Sequence, residues 1–338
     1  MVEQQRTAGP REWAALGALM LPVLLVSVNN TALSFALPAI SQGLRPTAAQ
    51  LLWIVDVYPL ILAALLIPMG SLGDRIGRRK MLFIGSTGFG LISLLAAFAP
   101  SAQWLLAARV GTAVFGSMLL PTTLSLLRTV FHDDRQRSLA IAIWTAGFSA
   151  GAALGPIAGG FLLNHFWWGS VFLLAVLAMI AFLVSAPLVL PESKDPHPGP
   201  VDPVSIVLAM ATMAPVVYGI KSLATGGSPL HGLLFITAGV LCGALFARRQ
   251  VVKGYPMLDL RFFRSPRFSG GLSVNMVSNV ALFGFLFFFT QYLQLVDGRD
   301  PMTSGLLMIP GLVLSILAGL GAERISRLVG VRTAVVLG

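Results

Sequence analysis

The chain alternates between long apolar runs and short polar segments. A helix that crosses about 30 Å of hydrocarbon needs about 20 residues, and ten runs have a suitable length. The ten runs lie at 14–38, 50–72, 81–99, 103–127, 138–162, 168–190, 204–224, 231–247, 268–295 and 302–322. A further run begins at Val331, and the sequence ends at Gly338. The pattern predicts an all-α polytopic membrane protein with about ten complete transmembrane helices.

The composition agrees with this prediction and excludes other classes of protein. Of the 338 residues, 56% are hydrophobic and 11% are charged, and the mean hydropathy is +0.84. Soluble domains carry about 25% charged residues, and a soluble core of this length cannot bury so much apolar surface. The chain is also far too apolar for intrinsic disorder. Ordinary cytosolic and secreted proteins are therefore excluded.

The residue types that build enzyme, metal and cofactor sites are sparse. Cys242 is the sole cysteine, which excludes an internal disulfide and a cysteine metal site. The four histidines are not paired at metal-ligand spacing. The sequence has neither a Walker loop for ATP nor the nucleophile–base arrangement of a hydrolase. We therefore predict that the protein is not an enzyme, holds no metal and needs no cofactor.

The basic residues are distributed unevenly between the two sides of the predicted membrane. The formal net charge is +10; nineteen lysines and arginines fall on the side of the N-terminus, and only Arg45 and Arg299 fall opposite. Cytoplasmic loops carry an excess of Lys and Arg. We therefore predict a multi-pass protein of the inner or plasma membrane with a cytoplasmic N-terminus, and no binding of nucleic acid. The first run lacks a small-residue cleavage site, so we expect it to remain as the first helix.

Two polar connections divide the chain into three parts. Residues 191–203 are proline-rich and are expected to form a flexible break after the sixth span. Residues 248–267 alternate apolar and basic residues, as expected for a stretch at the inner membrane interface. The predicted parts are an N-terminal six-helix bundle (1–190), a linker with two extra transmembrane helices (191–267) and the start of a C-terminal six-helix bundle (268–338).

A short internal repeat supports this division. The tripeptide Asp-Arg-Ile at 74–76 follows span two, and Glu-Arg-Ile at 323–325 follows span ten. The two copies would occupy the same place in two parallel repeats, which are a feature of secondary transporters. A complete second repeat needs four more helices, so we expect the chain to be incomplete at its C-terminus.

The strongest motif lies between spans two and three, in residues 70–80. It combines three glycines with an acid and basic residues, namely Gly70, Gly73, Asp74, Arg75, Gly77 and Arg78. The glycines permit a tight turn and a close approach of helices. Asp74 can cap the next helix or pair with a base across the junction, and such a contact would favour one conformational state. A plain positively charged loop is the alternative, but it does not explain the glycine spacing.

A second motif is a stripe of small residues in span five. The stripe and its neighbours are Gly147, Gly151, Gly155, Pro156, Gly159 and Gly160. Glycines four residues apart lie on one helix face and allow a partner backbone to come very close. The proline frees a backbone carbonyl and can bend the helix. Spacing alone leaves a purely structural packing face equally open.

Three charged residues lie inside predicted spans. Asp56 is the only carboxylate well inside one, so it must face the bundle interior, be paired or be protonated. It can bind a proton or attract a lipophilic cation, or it can be a structural hydrogen-bonded residue. Arg109 is a candidate counter-ion or proton-path partner, with a static ion pair as the alternative. Lys221 lies near the end of span seven and is expected to extend to the interface.

Polar and aromatic residues of three spans are predicted to line a substrate cavity. They are Asn30, Trp53, Tyr58 and Trp144. Aromatic faces bind flat cations through cation–π contacts. Simple packing or contact with lipid is the alternative for each of them.

The motifs resemble those of one transporter family. Residues 70–80 resemble the signature loop between the second and third helices of the major facilitator superfamily. Residues 109–116 resemble its fourth-helix motif, and residues 151–160 resemble the fifth-helix motif of its antiporters. From about residue 13 onward the chain is similar to the fourteen-helix drug:proton antiporters, and especially to the SmvA-like, LfrA-like and QacA-like exporters of quaternary ammonium compounds.

The resemblance implies a major facilitator superfamily fold with fourteen helices, of which this chain holds about ten. It also implies that the residues of the proton and substrate coupling site are Asn29, Asp56 and Arg109. The family's first-helix motif reads Asp-x-Thr, and Asn29 stands at the Asp position. Because an amide imitates a protonated carboxyl group at every pH, we expect Asn29 to hold a protonated-like state.

The preferred prediction is a monomeric antiporter in the lipid bilayer that exchanges protons for lipophilic cationic drugs, such as quaternary ammonium compounds and dyes. Two alternatives remain. One is an exporter of a particular antibiotic or metabolite, with a polar and selective cavity. The other is a transport-inactive membrane scaffold or sensor, which Asn29 and the expected missing helices suggest.

Overall fold

The computed structural model describes residues 8–195, 202–224, 227–254 and 256–330. These residues form ten α-helices, which are α1 (Pro10–Leu44), α2 (Ala48–Ile76), α3 (Arg78–Ala97), α4 (Ala102–Val130), α5 (Asp134–His165), α6 (Ser170–Val189), α7 (Pro203–Ala224), α8 (Pro229–Val252), α9 (Pro266–Gln291) and α10 (Pro301–Val329). A 3-10 helix (Leu260–Arg264) precedes α9, and a π-helical turn (Tyr292–Val296) follows it.

Each α-helix coincides with one of the ten predicted apolar runs. Within the described residues, α1 to α8 are long and apolar enough to cross a membrane, and the apolar part of α10 is the shorter stretch Met302–Gly311. The run predicted to begin at Val331 lies outside the described residues.

Several helices begin at polar capping residues that lie between the apolar runs. Thr47, Ser101 and Asp133 each accept a hydrogen bond from the backbone N–H three residues later, at the start of α2, α4 and α5. Such a cap satisfies one of the backbone donors that a helix leaves free at its first turn. The caps explain why these helices begin a few residues before the apolar runs.

The first six helices pack around a core in two apolar clusters. Helix α1 packs against α5 and α6, α2 packs against α4, and α3 packs against α4 and α6. The first cluster includes Leu19, Phe89 and Phe182 and lies along the N-terminal half of α1. The second includes Leu33 and Phe172 and lies along its C-terminal half. Asn29 is buried on α1 between the two clusters.

The remaining helices attach to this bundle at its edge. Helices α7 and α8 form a hairpin, and α7 also contacts α2. Helix α10 packs on α5, with the backbone of Gly305 close to Pro156 and Ile157. The described side chains of α9 are largely exposed.

Candidate functional site

A buried arginine forms the polar centre of the six-helix bundle. Arg109 on α4 is 1% exposed, and its Nη1 donates a 2.6 Å hydrogen bond to the amide oxygen of Asn29 on α1. Its Nε donates a 3.0 Å hydrogen bond to the carbonyl oxygen of Ile54 on α2. The guanidinium carbon lies 4.5 Å from the ring centroid of Tyr58, one helical turn after Ile54. Arg109 therefore joins three helices.

The partners of Arg109 are all electrically neutral. An amide, a backbone carbonyl and an aromatic face compensate its charge, and no ion pair of Arg109 occurs within the described residues. Burying a cation without a carboxylate is costly, and an arginine does not lose its proton in proteins. The centre of the bundle thus carries net positive charge.

Asp56 lies apart from this centre, on the face of α2 that contacts α7. Its carboxylate forms an ion pair with Lys221. Within the described residues the counter-ion of Asp56 is thus Lys221 and not Arg109, and the location of Lys221 near the membrane interface stays a prediction. Ile54 and Tyr58 occupy the buried face of α2, while Trp53 and Asp56 occupy the opposite face. Because Asp56 and Tyr58 lie on opposite faces of α2, the carboxylate of Asp56 is separated from the guanidinium of Arg109.

The cleft around Asp56 is small and partly apolar. Its volume is about 160 Å³, and it is lined by the start of α2 and the end of α7. Trp53 lies nearly parallel to Tyr218 of α7, with ring centroids 6.3 Å apart. Trp53 is thus the one predicted cavity residue that lies beside Asp56.

The other predicted cavity residues lie in different environments. Tyr58 is 1% exposed and is covered by Arg109, so it does not line an open cavity here. Asn30 is exposed on α1. Trp144 is half-buried, and its Nε1 donates a 3.1 Å hydrogen bond to Thr123 of α4.

The glycine-rich loop is the tight junction between α2 and α3. Gly77 has φ = +112°, a backbone conformation that favours glycine. A Cβ at Gly70 would lie 3.2 Å from the Cβ of Pro121, and one at Gly73 would lie 3.3 Å from Oγ1 of Thr122, both on α4. A side chain at Gly70 or Gly73 would push α2 away from α4.

Asp74 forms the predicted pair with a base across this junction. Its carboxylate accepts a 2.8 Å hydrogen bond from Nε of Arg78, and Arg78 also donates to Thr129 of α4 and to Ser193. Arg75 is exposed in the last turn of α2. The geometry favours pairing over capping of α3, whose N-cap is Gly77.

The first residues of the proline-rich connection are bound to this loop. The backbone N–H of Arg78 donates 2.8 Å to the carbonyl of Ser193, and that of Asp195 donates 3.0 Å to the carbonyl of Asp74. Ser193 and Asp195 are thus hydrogen-bonded to the loop, and the flexibility of the connection 191–203 stays a prediction. Residues 196–201 lie outside the described residues.

The glycine stripe of α5 packs directly on α1. A Cβ at Gly151 would lie 2.7 Å from the carbonyl oxygen of Leu24, and one at Gly155 would lie 3.0 Å from the backbone nitrogen of Ala32. Ser27 donates a 2.5 Å hydrogen bond to the carbonyl of Phe148, which ties the two backbones together.

The rest of the stripe follows the same seam. Gly147 faces Met20, and Gly159 faces Ala32. Pro156 and Gly160 are buried, and Pro156 contacts α10 near Gly305. The stripe thus has a definite partner, α1, which the spacing alone did not identify.

A polar cluster at the base of the α7–α8 hairpin was not predicted. Asp202, 4% exposed, accepts hydrogen bonds from Arg249 at 3.0 and 3.1 Å and from Ser205 at 2.6 Å, and Lys253 pairs with it at 2.7 Å. The hydrogen bonds from Arg249, reinforced by Lys253 and Ser205, hold the pKa of Asp202 well below its ordinary value. The sequence feature that could have indicated this cluster is the Asp directly before Pro203 at the start of a predicted helix.

Within the described part of the chain, no group of three or more His, Cys, Asp or Glu side chains is placed to hold a metal ion.

Comparison with known proteins gives consistent relatives. The profile of the Major Facilitator Superfamily matches residues 19–338. The chain is 51% identical over 328 residues to the multidrug efflux pump LfrA of Mycolicibacterium smegmatis, covering 97% of the chain and 65% of that protein. It is 36% identical over 310 residues to the methyl viologen resistance protein SmvA of Salmonella typhimurium, covering 91% of the chain and 63% of that protein.

A third relative and a solved structure agree with these. The tetracenomycin C resistance and export protein of Streptomyces glaucescens is 35% identical over 302 residues, covering 89% of the chain and 56% of that protein. The chain thus spans less than two thirds of the length of these relatives. The proton:xylose symporter XylE superposes with a TM-score of 0.62 at 14% identity, covering 93% of this chain and 69% of that one, which bears on the fold alone.

Proposed function

Because this chain belongs to the Major Facilitator Superfamily, whose fold the motifs predicted, we propose that it acts as a proton-coupled multidrug efflux antiporter for lipophilic cations. The observation that carries the proposal is the 51% identity, over 97% of the chain, to a protein named as a multidrug efflux pump. The proposed location is the inner or plasma membrane, with the N-terminus in the cytoplasm and the protein acting as a monomer.

The proposed cycle is alternating access, in which one set of helices rocks against another. The α2–α3 junction suits a conformational lock, because Asp74 and Arg78 join the ends of two helices and Arg78 reaches α4 and Ser193. The glycine stripe suits a sliding contact, because it brings the backbones of α1 and α5 together without interlocking side chains. Both features support a cycle in which whole helices move relative to one another.

The proposed coupling is a competition for negative charge between protons and drug. Asp56 is the carboxylate that a lipophilic cation or a proton would neutralise. Arg109 keeps the bundle centre positive, which repels a cation unless an acid is present nearby. Asn29 beside Arg109 provides no such acid, so cation binding in this chain depends on Asp56.

Everted membrane vesicles test the proposal. The cytoplasmic face of these vesicles points outward. When the vesicle lumen is acidic, the exporter moves a cationic dye such as ethidium into the lumen and releases protons from it. We expect dye uptake that needs the imposed pH gradient and disappears when an ionophore dissipates it. Vesicles without the protein, and vesicles with Asp56→Asn, serve as controls.

The two alternatives give different results in the same assay. A selective exporter would take up no dye but would release protons when its own antibiotic or metabolite is added. A scaffold or sensor would show neither dye uptake nor substrate-driven proton release. Either pattern would replace the proposal of broad cation export.

A further inference from the structure

The cleft between α2 and α7 combines an acid, a base and aromatic faces. The Asp56 side chain is 25% exposed and the Lys221 side chain 34% exposed, so their ion pair is open to the cleft. Trp53 and Tyr218 line the same cleft, with nearly parallel rings whose centroids lie 6.3 Å apart. A carboxylate beside aromatic rings is a set of groups that can bind a flat organic cation.

The aromatic side chains of the cleft are held in position. Phe235 of α8 packs edge-on against Tyr218 with ring centroids 4.6 Å apart, so the α7–α8 hairpin fixes the Tyr218 ring. Trp53 belongs to α2, on the same face as Asp56. The two rings therefore come from two separate units, and a ligand in the cleft would contact both.

The volume of the cleft limits what can enter while Lys221 is in place. Pockets for drug-sized ligands have volumes of about 300–1,000 Å³, whereas this cleft has about 160 Å³. A ligand with two or three fused rings fits only if the Lys221 side chain swings away. The long and flexible lysine side chain can do so, since its head group is already partly exposed.

We infer that this cleft is a binding site for flat lipophilic cations and that Lys221 is a built-in competitor for Asp56. The ligand class rests on the proposed function. The tethered ammonium group occupies the carboxylate until an organic cation with larger apolar and aromatic contact area replaces it. Replacement also breaks the ion pair between α2 and α7, so ligand binding loosens the α7–α8 hairpin from the bundle.

Dye binding to the purified full chain in detergent tests this inference. Fluorescence anisotropy of ethidium measures Kd without any transport step. Lys221→Met keeps the length of the side chain and removes the competing charge, so we expect Kd to fall about fivefold. Asp56→Asn should raise Kd about tenfold, and Trp53→Leu should raise it in the Lys221→Met background.

Arg267→Met is the matched control, because Arg267 is exposed at the start of α9 and its loss changes the net charge equally. Its Kd should equal that of the unmodified protein. A purely structural ion pair makes the opposite prediction: Lys221→Met would lower the melting temperature and leave Kd unchanged or raised. That result, or a Kd insensitive to Asp56→Asn, overturns the inference.

Failure of the inference and failure of the proposed function are distinguishable. If vesicles take up dye when the pH gradient is imposed but Lys221→Met leaves the dye Kd unchanged, only the role of Lys221 as a competitor is overturned. Tighter binding by Lys221→Met without gradient-driven uptake supports the site and overturns the antiporter.

Discussion

The Nη1 of Arg109 donates a 2.6 Å hydrogen bond to the amide oxygen of Asn29, eighty residues earlier in the chain. Both residues are buried, at 1% and 7% exposure, in the middle of the six-helix bundle. A charged donor facing a neutral acceptor makes a weaker bond than it would with a carboxylate. The identity of residue 29 therefore sets the net charge at the centre of the bundle.

The substitution Asn29→Asp should create an ion pair with Arg109 and change the pH dependence of dye affinity. The side chains have nearly the same shape, so the fold should persist with an unchanged or higher melting temperature. Affinity for a cationic dye should rise toward alkaline pH as the new carboxylate ionises. Titration of dye Kd against pH measures this, and identical profiles for the two proteins would exclude position 29 from coupling.

Asn30→Ala is a control for the stability part of this prediction, because Asn30 is exposed and adjacent. It should leave the melting temperature unchanged. Asn29→Ala removes the acceptor of a buried charged donor and should destabilise the protein by about 2 kcal/mol. An Asn29→Ala protein as stable as the unmodified one would show that the hydrogen bond contributes nothing.

The substitution Tyr58→Phe should be neutral or stabilising, by up to about 1 kcal/mol. The Tyr58 hydroxyl is buried and has no hydrogen-bond partner within the described residues, and phenylalanine keeps the ring beneath Arg109. Tyr58→Leu loses the cation–π contact and should destabilise the protein. Thermal unfolding in detergent compares the variants; a Tyr58→Phe protein that unfolds earlier would reveal a partner for the hydroxyl.

The substitution Asp74→Ala should reduce transport far more than stability. The side chains of Asp74 and Arg78 are 31% and 20% exposed, so their ion pair contributes about 1 kcal/mol or less. A loss of tenfold or more in vesicle dye uptake at nearly unchanged dye affinity would therefore reflect the conformational cycle.

The control for this prediction is Asp134→Ala, which removes the exposed pair of Asp134 and Arg137 at the start of α5. It should change neither transport nor binding. If Asp74→Ala lowers transport, binding and melting temperature together, the junction is a structural contact only.

The substitution Gly151→Ala should weaken the packing of α5 on α1, whereas Gly159→Ala should be tolerated. At Gly151 the added Cβ would lie 2.7 Å from the backbone oxygen of Leu24, but at Gly159 the nearest atom is the oxygen of Ala32 at 3.4 Å. We expect a loss of about 1–3 kcal/mol at Gly151 and little change at Gly159. Equal melting temperatures for the two variants would contradict the close approach.

The ion pairs of Asp202 should stabilise the protein at neutral pH. Because the pKa of Asp202 is lower in the folded chain than in the unfolded one, its contribution is fully present above the ordinary value of about 4 and is lost as pH falls below it. Asp202→Asn should destabilise by about 2 kcal/mol at pH 7. The difference between the two proteins should be constant from pH 5 to 8, and a decline within that range would contradict the assignment.

The helices could be predicted from the sequence because each is set by a local property. An apolar run of membrane length forces the backbone to satisfy its own hydrogen bonds, so run and helix coincide. The ion pair of Asp74 and Arg78 could be predicted for the same reason, because the two residues are only four positions apart in the chain.

The rotation of each helix about its axis could not be predicted in the same way. Apolar residues surround α2 on all sides, so the pattern did not indicate that Asp56 faces Lys221 on α7 while Tyr58 faces Arg109 on α4. Both contacts join residues far apart in the chain. The family resemblance assigned Asn29 and Arg109 to one coupling site, but only the packing of α1 on α4 shows the hydrogen bond between them.

The close seam between α1 and α5 has a consequence for proton movement. A Cβ at Gly151 would lie 2.7 Å from the oxygen of Leu24 and 2.8 Å from the Cβ of Ser27, so that position has no room for a water molecule. Protons cross proteins along files of hydrogen-bonded water, and such a file is interrupted where the backbones touch. The glycines that let the helices approach therefore limit proton leak along this seam, which any membrane protein separating two compartments of unequal pH has to prevent.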